Sequence, residues 1–332
     1  MRIIELESMS EVVAFFKKIG VDPYGIEAMK NKATNINIYL DKQSCKIANI
    51  IKQEMLSIGG DAAVARGSVA CAVESTDILI MGTAKQILAL SGKIKNQPFG
   101  LGKISGDLVE LINNVDKKDY VFQTSRRKIS LGDKTLIMGI LNVTQNSFSD
   151  GGLYYDYKSA VERGLQIAKE GADIIDIGGE STRPGSDTIP EKTEIKRVIP
   201  VISALAKKIK IPISIDTKKA KVARAAIDAG AEIINDISAL NSDKNMSKIA
   251  ATTQAGLILM HMRGTPKNMQ KGNLLYDDLM GEIISHLQKA IDRAISAGVK
   301  KESIVVDPGA VSYTHLRAHE TVLDLVCRLL LE

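Results

Sequence analysis

Short apolar runs alternate with amphipathic stretches through the second half of the chain, beginning near residue 136. The runs consist mainly of Ile, Val, Leu and Met and present no polar face, which is typical of buried strands in a parallel sheet. They predict strands at 136–143, 173–178, 212–217, 232–237, 256–262 and 303–307. The stretches between them carry apolar residues at helical spacing. These stretches predict helices at 157–170, 191–208, 218–229, 243–253 and 277–297.

A strand followed by a helix, repeated at this pitch, predicts an α/β fold of the (β/α)8 TIM-type barrel, truncated after strand six. A doubly wound parallel sheet is the alternative, because it is built from the same units. Polar residues end nearly every predicted strand, whereas a doubly wound sheet concentrates its ligand residues at one switch point. The pattern therefore favours a barrel, which we place at residues 125–309.

Residues 1–124 are predicted to form a small α/β domain of unknown role that precedes the barrel. The polar stretch 119–127 is predicted to be a linker, and 128–132 a short strand that plugs the bottom of the barrel. The sequence GLGKISG at 100–106 misses the dinucleotide-binding spacing by one residue, which favours a plain turn over a nucleotide site. The other elements predicted in this domain are helices at 10–20 and 44–58, a buried strand at 77–81 and a following helix through residue 90.

Composition narrows the function class. The chain has 332 residues, 45% of them hydrophobic and 25% charged, and no window reaches the ~18 apolar residues of a membrane span. A net charge of +5, 4% aromatic residues and no basic run argue against nucleic acid as a partner. The small positive excess suits an anionic small-molecule substrate, and a solvated surface explains it equally well. Cys45, Cys71 and Cys327 show no close pairing, so we expect a cytoplasmic protein that does not contact the membrane.

Polar side chains stand where the predicted strands end. Each follows a run of large aliphatic residues, so each is expected at the mouth of an apolar barrel, where a carboxylate is costly unless a ligand, metal or partner satisfies it. A single aspartate there can simply cap the next helix, as Asp216 before Thr217 could. The set consists of Asn142, Asp176, Asp216, Asn235 with Asp236, and Asp307.

Two long motifs resemble the signatures of the dihydropteroate synthases: LIMGILNVTQNSFSDGG at 136–152 and DIIDIGGESTRPGSD at 173–187. The resemblance covers residues 124–309. It implies a transferase of folate biosynthesis that condenses 6-hydroxymethyl-7,8-dihydropterin pyrophosphate with p-aminobenzoate, releasing 7,8-dihydropteroate and pyrophosphate. A homodimer is one expectation for its assembly.

The resemblance also implies roles for the strand-end residues. Asp216, Asn235 and Asp307 would bind the pterin ring, whose amino group and ring N–H call for carboxylates and a carboxamide. Met260 and Ile215 would supply apolar walls. Asn142 would act in catalysis by contacting the pyrophosphate and its Mg²⁺, which is the implied cofactor.

The two loops that carry the motifs are implied to close over p-aminobenzoate. Thr182 and Arg183 would act in catalysis as donors to an anion, and Ser181 would contact substrate. Phe148 and Pro184 would flank the aromatic ring, although Phe148 could instead anchor its loop. Asp236 either belongs to the functional strand-end set or has a structural role, in which it orients Asn235 or caps a turn. Structural roles are also expected for two histidines: His261 packs or hydrogen-bonds, and His286 lies on the surface.

After Asp307 the family pattern continues with a lysine and an Arg-x-His segment, but residues 310–332 resemble adapter or vector read-through. We therefore expect this chain to be a truncated copy that folds poorly and is inactive. His315 and His319 have metal spacing, and Arg317 to His319 mimics the closing motif. The pair His315 and His319 is left out of the site because no third metal ligand accompanies it. The segment Arg317 to His319 is left out because it lies too close to strand six to be the closing motif. Two alternatives remain, a corrinoid-linked methyltetrahydrofolate methyltransferase and a non-catalytic pterin-binding module.

Overall fold

The computed structural model describes residues 4, 6, 8–115, 117, 119–132, 134–143, 157–181, 188–262 and 278–309. The chain divides into two compact units, Met1–Lys117 and Lys118–Leu331. Within the described residues, no helix has both the length and the apolar composition that crossing a bilayer requires. The predictions made for the loops at 144–156 and 182–187 and for the tail at 310–332 lie outside the described residues.

The first unit contains an antiparallel sheet of three strands in the order β1-β3-β2. Alternate residues of β3, from Thr76 through Ile78 to Ile80, are buried, so one face of the sheet packs on helices. Its strands are β1 (Asn35–Ser44), β2 (Asp61–Val64) and β3 (Ser75–Thr83). Its helices are α1 (Met9–Ile19), α2 (Pro23–Met29), α3 (Cys45–Ser57), α4 (Ala84–Ile94) and α5 (Leu101–Val115).

Most predicted elements of this unit are confirmed, including the C-cap of α1, where Gly20 has φ 88°. The turn predicted at 100–106 is wrong, because Gly102 and Gly106 lie inside α5. Leu101 and Leu108 of that helix are buried in the core of the unit, so packing outweighs the low helix propensity of glycine.

The fold brings together two cysteines that show no pairing in the sequence. Cys45 is buried at the start of α3, whereas Cys71 is exposed, and both are free thiols. Burial, and then the neighbouring Cys71 thiol, raise the pKa of Cys45.

The second unit is built on a parallel sheet of six described strands, all of them predicted to within two residues at each end. The sheet follows a short antiparallel hairpin, β4 (Tyr120–Gln123) and β5 (Lys128–Leu131). The strands of the sheet are β6 (Met138–Asn142), β7 (Ile174–Gly178), β8 (Ile213–Asp216), β9 (Ile233–Asp236), β10 (Gly256–Met260) and β11 (Ile304–Asp307). The helices are α6 (Tyr157–Lys169), α7 (Glu191–Leu205), α8 (Ala220–Ala229), α9 (Met246–Thr253) and α10 (Leu279–Ser296), which also confirms the predicted helices.

The strand order separates the two candidate folds. The strands lie side by side in chain order from β6 to β11, so the sheet contains no point at which the order reverses. Every right-handed crossover then places its helix on the same face, as in a barrel wall. Accordingly, Ile175, Ile215 and Leu257 pack in one core cluster with the helices, while Ile174, Ile233 and Ile258 form a second cluster on the opposite face. The topology is that of a barrel.

The hairpin closes the lower end of that second face. The linker predicted at 119–127 is wrong for its first part, because Tyr120–Gln123 pairs with Lys128–Leu131. Phe122 is only 3% exposed and packs with the second cluster. The apolar stretch around it is too short to predict a buried strand from the sequence. Arg127 secures the hairpin, since its Nε and Nη2 donate to the two oxygens of the buried Glu232 at 2.9 and 2.6 Å. The predicted plugging strand at 128–132 is confirmed as β5.

Candidate functional site

Four residues at the carboxyl ends of adjacent strands lie in one register row. Asn142 pairs with Gly178, Gly178 with Asp216, and Asp216 with Asn235. Because strand residues alternate between faces, all four belong to the face opposite the helices. The row contains a glycine, Gly178, and a Cβ at this position would lie 3.4 Å from Asp216 Oδ2 and 3.5 Å from Asn142 Oδ1. The glycine therefore leaves a slot between a carboxamide and a carboxylate.

A second polar layer lies one step deeper on the same face. Asp176 is 5% exposed, and its Oδ2 accepts a hydrogen bond from Asn235 Nδ2 at 2.9 Å. Ser214 is its register partner, and the hydroxyl lies near the carboxylate but outside normal hydrogen-bond geometry. Within the described residues neither Asp176 Oδ1 nor Ser214 Oγ has a partner. Burying a carboxylate oxygen without a hydrogen-bond donor costs free energy. The deeper layer therefore favours a ligand that brings N–H donors.

Asp307 and Met260 are register partners on β11 and β10, and both are partly exposed. They lie on the same face but two residues nearer the carboxyl ends than the row, because Asn235 pairs with Ile258. Asp307 Oδ1 accepts a hydrogen bond from the backbone N–H of Gly309 at 2.7 Å. Ile215 does not join them. It is fully buried against the helices, so the prediction that it walls the site is wrong, because it alternates with Asp216 along β8.

The carboxylates on this face of the sheet are held in an environment that disfavours their charge. Burial raises the pKa of Asp216 well above its ordinary value, and the negative charges of Asp176, Glu194, Asp236 and Glu180 raise it further. Burial also raises the pKa of Asp176, against the opposing effects of the Ser214 hydroxyl and the Asn235 amide. The pKa of Asp307 is raised by burial as well. A ligand that donates hydrogen bonds here would stabilise the ionised forms.

Asp236 does not face this row. Its two carboxylate oxygens accept hydrogen bonds from the N–H and hydroxyl of Ser238 and from the N–H of Leu240, so it caps the turn after β9. This agrees with the turn-capping explanation.

His261 is buried and its ring lies 4.9 Å from that of His286 in a T-shaped contact. His286 is therefore partly buried in this contact, and the prediction of a surface position is wrong.

The loop residues with predicted roles are mostly outside the description. Ser181 is described, is partly exposed and follows β7, whereas Phe148, Thr182, Arg183 and Pro184 lie outside the described residues. The structure thus brings together Asn142, Asp216, Asn235, Asp307 and Met260 on one face. In the part of the chain that is described, no group of three or more His, Cys, Asp or Glu side chains is arranged to hold a metal ion.

Two features of this region are not specified by the predicted roles. Asp176 belongs to the predicted strand-end set, and its spacing of two from Gly178 indicates that it shares the inner face, but its partner Asn235 is set by the fold. Lys219, Glu180 and Glu194 form a buried ion-pair network beside Asp216. Glu194 lies within a helix, where nothing in the sequence indicates its partners.

Comparison with known proteins matches residues 138–328 to the family model described as pterin binding enzyme. The dihydropteroate synthase of Clostridium beijerinckii is 48% identical over 183 residues, which cover 55% of this chain and 65% of the relative. A probable bifunctional folylpolyglutamate synthase/dihydropteroate synthase of Haloferax volcanii is 37% identical over 272 residues, covering 79% of this chain and 32% of that protein. This chain therefore spans less than two thirds of the length of these relatives.

A solved structure, Xanthomonas albilineans dihydropteroate synthase with 4-aminobenzoic acid, is 41% identical. It superposes with a TM-score of 0.52, covering 57% of this chain and 67% of that chain. The match to the Haloferax protein is longer than the second unit, so it also takes in part of the first.

Proposed function

Because the chain belongs to the pterin binding enzyme family, we propose that it is a dihydropteroate synthase, as its relatives are named. The observation that carries the proposal is the single row of Asn142, Asp216 and Asn235 above a buried Asp176. The reaction joins 6-hydroxymethyl-7,8-dihydropterin pyrophosphate to p-aminobenzoate in folate biosynthesis.

The row suits the edge of a pterin ring. The ring presents an amino group and ring N–H donors next to acceptors, so its recognition needs carboxylates and a carboxamide in a half-buried slot. Asp216 and Asp307 would accept from the donors, and Asn235, held by Asp176, can both donate and accept. Met260 would lie against the ring as an apolar wall. The raised pKa values of Asp216 and Asp307 fit acceptors whose charge is stabilised once the ligand donates to them.

The chemistry requires positioning rather than a covalent nucleophile. The bond between the pterin methylene and the pyrophosphate oxygen breaks, and the electron pair leaves with pyrophosphate. The pterin stabilises the resulting cation, the amine nitrogen of p-aminobenzoate forms the new C–N bond, and that nitrogen loses a proton. Ser181, Thr182, Arg183, Pro184 and Phe148 are proposed to hold the arylamine and the departing anion, as the resemblance implies.

Mg²⁺ is proposed as the cofactor. Asn142 is exposed and offers a carboxamide oxygen at the carboxyl end of β6. That donor set fits a hard cation held mainly by substrate phosphates and water. When bound, the ion would neutralise charge on the leaving pyrophosphate. A cytoplasmic location, based on the cysteine content, and a homodimer are also proposals.

Calorimetric titration with the pterin pyrophosphate tests the assignment. We expect the wild-type chain to bind it, and Asp216→Asn to lose affinity by about 10- to 100-fold, as expected for a charged hydrogen bond worth about 1.5–3 kcal/mol. Asp228→Asn is the matched control, because Asp228 is an exposed carboxylate on α8 that pairs with Arg224. It should bind like the wild type.

Absence of pterin binding, or equal affinity in both variants, would overturn the assignment. Formation of 7,8-dihydropteroate after p-aminobenzoate is added would establish the activity and contradict the expectation that this chain is inactive. Pterin binding together with methyl transfer from methyltetrahydrofolate to a corrinoid would instead identify the methyltransferase alternative.

A further inference from the structure

Lys219 lies directly before α8 with its ammonium group surrounded by acceptors. Its Nζ donates to Glu180 Oε2 at 2.5 Å, to Glu194 Oε2 at 2.6 Å and to the backbone oxygen of Ile189 at 2.7 Å. An ammonium group has three donors, so all of them are used. The Lys219 side chain is 16% exposed and that of Glu194 only 1%. The contacts are therefore largely shielded from solvent.

These contacts join the two ends of one chain segment, residues 181–188. Glu180 precedes the segment and Ile189 follows it, and the N–H of Ile189 donates directly to Glu180 Oε2 at 2.9 Å. Lys219 bonds to both of these residues and so ties both ends to the start of α8. Lys218 adds an ion pair to the other oxygen of Glu180 at 2.9 Å.

The network is balanced in charge and continuous with the candidate site. Two lysines face two glutamates, and Thr217, the neighbour of Asp216, donates to Glu194 Oε1 at 2.7 Å. Burial alone would lower the pKa of Lys219, but its hydrogen bonds to Glu180 and Glu194 outweigh that effect and raise it. A buried ion pair of this kind adds little net stability compared with an apolar pair, yet it specifies one geometry.

We propose that Lys219 is a positioning residue that fixes the separation of the two ends of the 181–188 segment and thereby sets the affinity for the arylamine substrate. This inference rests on the proposed function, which assigns residues of that segment to the arylamine. Lys219 itself touches no substrate in this scheme. Its effect should therefore fall on the second substrate and spare the pterin.

The test compares Lys219→Met with Lys221→Met in the full chain. Lys221 is the matched control, since its side chain is 78% exposed and forms a surface ion pair with Glu191 at 3.0 Å. Amide hydrogen exchange of peptides covering residues 179–190 reports directly on the segment. Calorimetry measures the affinities for p-aminobenzoate and for the pterin pyrophosphate separately. We expect Lys219→Met to accelerate exchange and to weaken arylamine binding about tenfold, with pterin affinity changed less than about twofold.

A double variant separates positioning from general stability. Lys219→Met leaves the buried Glu194 carboxylate without its cationic partner, which is destabilising on its own. Adding Glu194→Gln removes that charge, so the melting temperature should recover in part. The fast exchange and the weak arylamine binding should persist, because the bond to Ile189 is still missing.

Three results would overturn the inference: unchanged exchange in Lys219→Met, faster exchange with unchanged arylamine affinity, or recovery of arylamine binding in the double variant. A wild-type chain that binds the pterin but not p-aminobenzoate would also refute the proposed link between Lys219 and arylamine affinity. If the wild type binds neither ligand, the proposed function fails and the link to arylamine affinity fails with it. The exchange measurement would still decide whether Lys219 holds the segment.

Discussion

Removal of the Phe122 ring is expected to loosen the lower end of the second unit. The ring is 3% exposed and packs in the cluster that contains Ile233 and Ile258. Phe122→Ala should destabilise this unit by about 3–5 kcal/mol, because it removes buried apolar surface and leaves a cavity. The free energy of unfolding should fall by that amount if the hairpin is part of the barrel unit.

Gly256 allows a sharper form of this test. A Cβ on Gly256 would lie 2.5 Å from Phe122 Cζ and 3.0 Å from Cε2, so Gly256→Ala alone should cost about 1–3 kcal/mol through overpacking. In the Phe122→Ala background the same methyl group enters the vacated space and should cost almost nothing. The double variant should therefore be more stable than the sum of the single changes by about 1–3 kcal/mol.

Guanidinium denaturation followed by far-ultraviolet circular dichroism measures these free energies, since the chain contains no tryptophan for fluorescence. The two compact units are fitted as separate transitions. Additive effects of the two substitutions would refute the predicted contact between Phe122 and Gly256. A loss below about 1 kcal/mol in Phe122→Ala would refute its role in the core.

Three further outcomes are expected. The folded state raises the pKa of Asp216, so the folded state favours the protonated carboxyl group. The melting temperature of the wild type should therefore fall relative to that of Asp216→Asn as pH rises from about 4 through the raised pKa. Melting temperatures of the two proteins that change in parallel with pH would contradict this. Glu232→Gln should cost about 1–3 kcal/mol in the same denaturation assay, because it weakens the charged pair with Arg127; an unchanged midpoint would show that the pair contributes nothing. N-ethylmaleimide should modify exposed Cys71 before buried Cys45, as followed by mass spectrometry, and equal rates would disprove the burial argument.

The local pattern of apolar and polar residues was sufficient to predict most strands and helices of the second unit. The strand from Ile174 to Gly178 and the helix from Glu191 to Leu205 were both predictable, because a buried strand and an amphipathic helix leave periodic signals within a short window. Asn142, Asp216 and Asn235 were identifiable because each ends an aliphatic run. Their common row was not predictable, since it depends on the register between strands.

Sequence pattern alone is enough to infer the order of strands and helices, the polar residues at the strand ends and the resemblance to the family. The fold is needed to establish which neighbouring residues share a face, so that Asp216 lines the site while Ile215 packs against the helices. It also decided the contacts of Asp176 with Asn235 and of Lys219 with Glu194, which are 59 and 25 residues apart. This division arises because secondary structure follows from local periodicity, whereas a site is formed by side chains that packing and strand register bring together from distant parts of the chain.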